Sequence, residues 1–503
     1  VKVILLLSVL GLLALFAELF RFKKILYPII LIGLAGAIAL AISYWFFDDG
    51  AMTPYFTGMV DGKHQIPTAA NAIGHSFNQM LAFGPSSVLF SVIILSTAFL
   101  WFVMSKGFFN NDSTNTDHYA LIMFALVGAI ILTCYTNMTM LFLGIEILSI
   151  PLYVLAGSKK SDPLSNESAF KYFILGSFAS GFLLFGITLI YGASGSFDLK
   201  TIGTFINTSQ EAIPSFFYAG ILLILVGLLF KLAAAPFHFW APDVYQGAPT
   251  PITAFMSTVV KTAAIVAIIR LFLSTTFSGA DAFWVPVLGV ITGLTLVVGN
   301  VTAAAQNNVK RMLAFSSISH AGFLLLGVTA LCGFSAKAIV FYTAAYSIGS
   351  IATFTVLINI MHQTGSDAIE SFNGLGKRNP LMAFILTIAL FSLAGIPPTA
   401  GFFAKYYILT AAMTGGHNWL AIIGILSSLV GIYYYFKIII AMYFKKPTDE
   451  SLITINKQHQ LLLIVTGVII FLLGLLPDLI LSIGDIDRAS IKVSTTNILF
   501  LYA

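Results

Sequence analysis

The 503-residue chain is 58% hydrophobic and only 9% charged, with 25 Lys and Arg against 20 Asp and Glu. Its mean hydropathy of +0.95 excludes an ordinary soluble domain. The net charge of +5 is spread over short loops rather than gathered into a patch, so nucleic acid is not an expected partner.

Apolar runs of about 18 residues or more, the length that crosses a bilayer as helix, recur from end to end. Roughly 14 are predicted, allowing for two that proline splits. They lie near 3–20, 25–47, 86–104, 119–136, 138–157, 168–193, 214–234, 251–275, 283–304, 312–332, 336–361, 380–414, 418–444 and 459–483. The expected fold class is therefore an all-α polytopic membrane protein, one domain over residues 1–503 in a lipid bilayer. Arg21, Lys23 and Lys24 follow the first run instead of preceding it, so that run reads as a spanning helix and not a cleaved signal. Glu18 is expected to pair with Arg21 or Lys23. Asp48 to Pro85 is the longest stretch outside the membrane and lacks the apolar periodicity of a domain. Cys134 and Cys332 fall in apolar runs without a CxxC spacing, which suits packing as small apolar residues and not an iron–sulfur cluster.

Ionisable residues at membrane depth carry the functional signal. Glu146, in MLFLGIEILSIPLYVL, is the only acidic residue in the middle of a long run. A carboxylate there must be protonated, or paired with a cation or water. Lys171 opens its run and reads either as an interfacial lysine or as a partner for Glu146. Phe230 to Lys261 reads FKLAAAPFHFWAPDVYQGAPTPITAFMSTVVK: two apolar runs flank a hinge with Pro236, Pro242, Pro249 and Pro251. Lys231 and Lys261 sit inside those runs, where a lysine costs roughly 2.5–3.5 kcal/mol at a helix centre. Irregular backbone at that depth persists only where protein or a wet cavity satisfies the freed carbonyls. His238, beside the hinge, reads either as a proton relay or as a cap for loosened backbone. His320, in SSISHAGF, either extends a polar chain with Ser316, Ser317 and Ser319 or packs between helices. A second hinge, Ala394-Gly395-Ile396-Pro397-Pro398-Thr399, is followed by Lys405. Arg270 and Lys437 read as helix-end charges.

Loops after odd-numbered runs hold thirteen Lys and Arg, Lys310 and Arg311 among them, against seven on the other side. Five lysines remain at membrane depth: Lys171, Lys231, Lys261, Lys405 and Lys437. The positive-inside rule then places the odd loops in the cytoplasm and both termini outside. Residues 118–275 and 283–444 each hold five runs and one hinge, so the second set would be an inverted copy of the first, a recurrent transporter plan. A buried lysine amine next to a carboxylate is a natural proton-loading site, because burial and charge act on it in opposite directions. Glu146, Lys231, Lys261 and Lys405 are the expected relay.

Three segments also resemble a known family. KLAAAPFHFWAPDVYQGAPTPITAFMSTVVKTA, SSISHAGFLLLG and AGIPPTAGFFAKYYIL are similar to the antiporter-like proton-channel subunits of respiratory complex I, and the likeness runs over essentially the whole chain. Within that family PFHFWAPDVYQGAPTP resembles the subunit N pattern, whereas subunits L and M typically read PLHTWLPDA. Subunit M usually has a glutamate where this chain has Lys405, and the long C-terminal extension of subunit L is not expected. The resemblance implies a paired glutamate at Glu146, its partner lysine at Lys231, a central-axis lysine at Lys261 and a distal lysine at Lys405. It implies two half-channels joined along the mid-membrane and driven by quinone reduction elsewhere in the complex. No cofactor is implied on this chain; NADH, FMN, iron–sulfur clusters and quinone belong to other subunits. Implied neighbours are homologues of subunits M, K and J, in a bacterial inner membrane with both termini periplasmic.

Three other functions compete. A subunit of a multisubunit cation/proton antiporter or membrane-bound hydrogenase would use a similar plan. A passive spacer has no use for four buried charges. A haem or nucleotide enzyme lacks its signatures here, since no regular histidine pair faces across two runs and no Gly-rich nucleotide loop occurs.

Overall fold

The structure, a computed structural model, describes residues 1–17, 20, 23–46, 79–108, 115–209, 213–274, 276–447 and 451–481. The expected Glu18 ion pair, residues 48–78 of the long loop, and Arg488 and Lys492 lie outside the described residues. The helices run α1 (Lys2–Phe16), α2 (Lys23–Phe46), α3 (Pro85–Ser105), α4 (Asn115–Cys134), α5 (Met138–Ala156), α6 (Pro163–Ser194) and a short lateral α7 (Leu199–Thr208). The first hinge region follows: α8 (Ser215–Leu232), α9 (Trp240–Gly247), α10 (Thr250–Phe255), a π-helical turn Met256–Val260, and α11 (Lys261–Phe272). Then come α12 (Asp281–Ala304), α13 (Val309–Thr329), α14 (Ser335–Thr364) and α15 (Leu375–Arg378). The second hinge separates α16 (Pro380–Ala394) from α17 (Ala400–Thr414), before α18 (Asn418–Phe444), α19 (Lys457–Leu475) and α20 (Asp478–Leu481).

Among the described residues, each of the fourteen apolar runs is mostly helical. Twelve segments among the described residues are long and apolar enough to cross a bilayer, and Lys2–Phe16 and Pro380–Ala394 are shorter apolar helices. The run at 380–414 falls short because the second hinge cuts it in two. The helix through Thr250–Phe272 has its membrane window wholly buried in protein. By contrast α6 and α18 keep large apolar side chains exposed, Phe170, Phe178, Phe185, Leu426 and Tyr433 among them, as helices at the lipid or partner boundary do.

Lipid tails are as apolar as leucine, so these helices associate through close packing and polar contacts instead of a hydrophobic drive. On α6 and α8, Gly186 and Gly220 face each other, and a Cβ on Gly186 would lie 2.8 Å from the Gly220 carbonyl. On α12 and α13, a Cβ on Gly299 would be driven into the Ser319 backbone. Helix starts are marked by Asn and Asp, whose short side chains reach the free N–H groups of the first turn. Asn137 accepts from Thr139 N–H at 2.8 Å, and Asn308 from Arg311 N–H at 2.9 Å. The same two asparagines pair with chain far along the sequence. Met138 N–H bonds to Phe197 and Leu199 N–H to Thr136, while Val309 N–H bonds to Asp367 and Ile369 N–H to Asn307. These form two isolated antiparallel bridges, Asn137 with Asp198 and Asn308 with Ala368.

Two readings of the sequence are corrected. Lys310, counted among the loop cations, is buried at 4% exposure, because α9 packs over the first turn of α13. Cys332 does not sit inside a helix but in the turn after α13, half-buried, with its sulfur 3.4 Å from the Ser335 hydroxyl. Arg270 is a helix-end charge as expected: its guanidinium donates to the Tyr135 carbonyl that follows α4 and to Ser87 Oγ. Lys437 likewise donates to the Ala304 and Gln306 carbonyls at the end of α12, where a cation meets the negative end of the helix dipole.

Candidate functional site: buried lysines on a polar thread

Breaking a helix inside a membrane frees backbone groups, and neighbouring side chains satisfy them at the first hinge. α8 ends at Ala233 in the left-handed region. Trp240 Nε1 donates to the Phe230 carbonyl at 3.1 Å, and Ala235 N–H donates to Thr295 Oγ1 at 3.0 Å. Trp101 Nε1 donates to the Pro251 carbonyl at 2.6 Å, and Thr253 Oγ1 to the Tyr245 carbonyl at 2.7 Å. The irregular backbone is thus wrapped in protein on every side that these bonds reach.

Lys231 lies in the last turn of α8 and is buried. Its Nζ donates to Tyr172 Oη at 2.9 Å and sits over the rings of Tyr172 and Tyr153, 5.0 and 5.6 Å from their centroids. Glu146, half-buried on α5, accepts a hydrogen bond from Ser180 Oγ on α6. Ser180 and Lys231 line one cavity of about 10 Å³, together with Ser149, Tyr153 and Gly176. That is room for about one water. Gly176 is required there, since a Cβ would collide with the Tyr153 hydroxyl. Among the described residues no ion pair within 4.0 Å joins Glu146 to Lys231 or to Lys171. Serine, tyrosine and cavity stand between the carboxylate and Lys231 instead.

Lys171 is held elsewhere. It pairs with Glu167 at 2.6 Å and with Asp243 on α9 at 2.7 Å, and Asp243 also pairs with Arg311 on α13 at 2.9 Å. These side chains are about a third exposed or more, so the cluster ties α9 to α6 and α13 at the edge of the bundle. His238 is buried beside the hinge, and its Nδ1 has no hydrogen-bond partner among the described residues. Its ring rests against Phe239.

Lys261 opens α11 directly after the π-helical turn, a distortion that recurs at functional sites. Its Nζ donates to the Ser317 carbonyl on α13 and lies 6.0 Å from the centre of the Tyr346 ring. Tyr346 Oη donates to Ser317 Oγ at 3.0 Å. His320, one turn further along α13, packs its ring 4.6 Å from Tyr346 and bonds Tyr342 Oη through Nδ1 at 2.7 Å. Its Nε2 lies 3.2 Å from Tyr435 Oη, which also bonds Ser316. His320, Tyr342 and Tyr346 line a second cavity of about 10 Å³ that reaches Lys405. Lys405 Nζ donates to the Ala394 carbonyl at 2.8 Å and sits 5.0 Å above the Phe323 ring. Lys261 and Lys405 are therefore joined by alternating hydroxyls, imidazole and cavity. Between Lys231 and Lys261 the link runs from Tyr172, stacked on Trp240 at 4.6 Å, to Tyr245, which faces Ser317 and Tyr346.

The sequence reading placed the lysines, Glu146 and the His320 serines but did not single out Tyr153, Tyr172, Tyr245, Tyr342, Tyr346 or Tyr435. Their signal was available in part: Tyr342 and Tyr346 stand one helical turn apart on α14, inside an apolar run where hydroxyls need internal partners.

A family model described as "NADH:quinone oxidoreductase/Mrp antiporter, TM" matches residues 135–431, which hold Lys171, Lys231, Lys261, Lys405 and both hinges. NADH-quinone oxidoreductase subunit N of Cytophaga hutchinsonii is 43% identical over 488 residues, covering 96% of this chain and 99% of that protein. The chain belongs to the subunit N family. Among solved structures it is similar to a chain of respiratory complex I from Thermus thermophilus with bound aureothin, at 28% identity and TM-score 0.75, covering 95% and 98% of the two chains. It is also similar to a chain of the membrane-bound sulfane sulfur reductase, an archaeal respiratory membrane complex, at 26% identity and TM-score 0.83, covering 98% of each chain.

Proposed function

We propose that this chain is a proton-translocating membrane subunit of an NADH–quinone oxidoreductase, moving protons along Glu146, Lys231, Lys261 and Lys405 while quinone is reduced on other subunits. The observation that carries the reading is the burial of three lysines along one polar thread, each within reach of a hydroxyl, imidazole or small cavity. A lysine amine held this way can take up and release a proton without any redox chemistry at that spot. The scale fits: one pKa unit is about 1.4 kcal/mol, and a charge crossing 100 mV costs about 2.3 kcal/mol. His320 serves as the relay between Lys261 and Lys405. His238 is a candidate relay at the hinge, and Lys171 positions α9 instead of carrying protons.

Residues 118–275 and 283–444 are two inverted repeats in this reading. Supporting it, each copy caps its second helix with an asparagine, bridges that asparagine to the chain after its third helix, and breaks its fourth helix at a left-handed residue, Ala233 or Gly395. The positive-inside rule puts both termini on the periplasmic side of the inner membrane. The exposed apolar faces of α6 and α18 would meet homologues of subunits M, K and J, and the cofactors (FMN, iron–sulfur clusters, quinone) would sit on other subunits. The related reading, a cation/proton antiporter or hydrogenase subunit, draws on the shared family model, but 43% identity over nearly the whole chain favours the oxidoreductase.

The test is to assemble the whole complex with Glu146→Ala, Lys231→Ala or Lys261→Ala and record proton translocation and quinone reduction separately in vesicles. Impaired pumping in an assembled complex is expected. Normal proton-to-electron ratios in all three variants would remove the relay.

A further inference from the structure

Lys310 is a buried lysine that the relay leaves unused. It lies in the first turn of α13, the positive end of that helix, where a cation is electrostatically disfavoured. Its Nζ reaches away from that end to donate to the carbonyl of Ala248, just past the C-terminus of α9. Among the described residues no carboxylate lies within 4.0 Å to pair with it. Its neighbour Arg311, by contrast, is part-exposed and ion-paired to Asp243. The charges that act on Lys310 are Asp367, Lys159 and Asp162, all in the loops beyond the helix ends. Toward the membrane interior, Lys310 and Ser317 are seven residues apart, two turns along one face of α13, or about 10 Å. The Ser317 carbonyl is the one that Lys261 holds. Tyr245 sits three residues before Ala248 on α9 and faces Ser317 and Tyr346.

We propose that Lys310 is a further proton-carrying lysine, the loop-side end of a buried polar column that runs by Tyr245 and Ser317 to Lys261. The inference rests on the relay reading above and extends it to the route by which the central lysine exchanges protons with the loop side. In each cycle the neutral Lys310 amine accepts one proton from the loop side and gives one up toward Lys261, so no charge is left behind. The plainer role for Lys310 is to cap the Ala248 carbonyl and pin α9 to α13. The two roles separate by substitution. Arginine keeps the cation and its donors but cannot be deprotonated, whereas glutamine keeps a donor and loses the charge.

The whole complex carrying Lys310→Arg, Lys310→Gln, Tyr245→Phe or Lys261→Ala would be purified, reconstituted in vesicles, and assayed for proton uptake per quinone reduced. The column requires that Lys310→Arg lose as much pumping as Lys310→Gln, with both losses comparable to Lys261→Ala. Wild-type pumping in Lys310→Arg beside a defective Lys261→Ala would make Lys310 a structural cap and overturn this inference alone. Wild-type pumping in Lys261→Ala would overturn the relay and this extension together. Should both Lys310 variants fail to assemble, Tyr245→Phe decides: it keeps the packed ring and drops one hydroxyl, so a pumping loss supports the column and an unchanged ratio refutes it.

Discussion

At the first hinge the lysine precedes the break, in the last turn of α8, and donates to the Tyr172 hydroxyl. At the second hinge Lys405 follows the break, in the second turn of α17, and donates to the Ala394 carbonyl at the end of α16. A hydroxyl both gives and accepts a proton, and Glu146 is hydrogen-bonded to Ser180, which lines the same small cavity as Lys231. A helix-terminal carbonyl only accepts, and the end of the helix dipole attracts a cation without supplying a counter-charge. The contrast shows that a broken helix can house a membrane lysine in two ways, one against a hydroxyl and one against backbone. Lys261 lies between them on an unbroken helix distorted by one π-helical turn.

The largest effect is expected from Lys261→Ala, because it removes the buried amine that lies between the two hinge sites. The rate of proton uptake should fall roughly tenfold, the equivalent of about 1.4 kcal/mol on one transfer step, and with it the protons taken up per quinone. An unchanged ratio would mean that the hinge sites work independently. Next come the two hinge lysines, which should differ in kind. Lys405→Ala leaves the Ala394 carbonyl unpaired in a buried cavity, a cost of about 1–3 kcal/mol, so the assembled complex should melt earlier as well as pump less. Lys231→Ala leaves a tyrosine hydroxyl beside space for water, so pumping should fall with little change in melting temperature. Equal melting shifts in the two variants would break the comparison. Tyr172→Phe removes one hydrogen bond, worth about 1 kcal/mol, and should slow pumping to a lesser degree than Lys231→Ala while quinone reduction persists. The smallest effect is expected from Arg311→Gln, which removes a part-exposed ion pair worth about 0.2–1 kcal/mol; a slight drop in the thermal stability of the complex would register it.

The spans, both hinges and the deep lysines were legible in the sequence because each violates what hydrocarbon tolerates: proline in an apolar run, or charge far from a helix end. Lys310 was not legible. It stands beside Arg311 at a run's edge, the ordinary position of a loop cation, and only the fold of α9 over α13 buries it. Lys171 had two readings open, and its partner Asp243 lies 72 positions away across the hinge, beyond any local pattern. Tyrosines are common in membrane helices, so Tyr172 and Tyr346 drew no notice until the lysines were seen to point at them. The proposed repeat shows in the sequence only as matching run counts; the paired Asn137 and Asn308 bridges need three-dimensional neighbours to appear.

The central claim is that buried amines change their protonation, and Lys261→Arg addresses it most directly, since arginine preserves the positive charge while holding its proton permanently. Vesicles bearing the assembled variant complex would be supplied with NADH and quinone, with proton uptake and NADH oxidation followed together. Fewer protons moved per electron than in the unaltered complex is the predicted result, and an unaltered ratio would contradict the account.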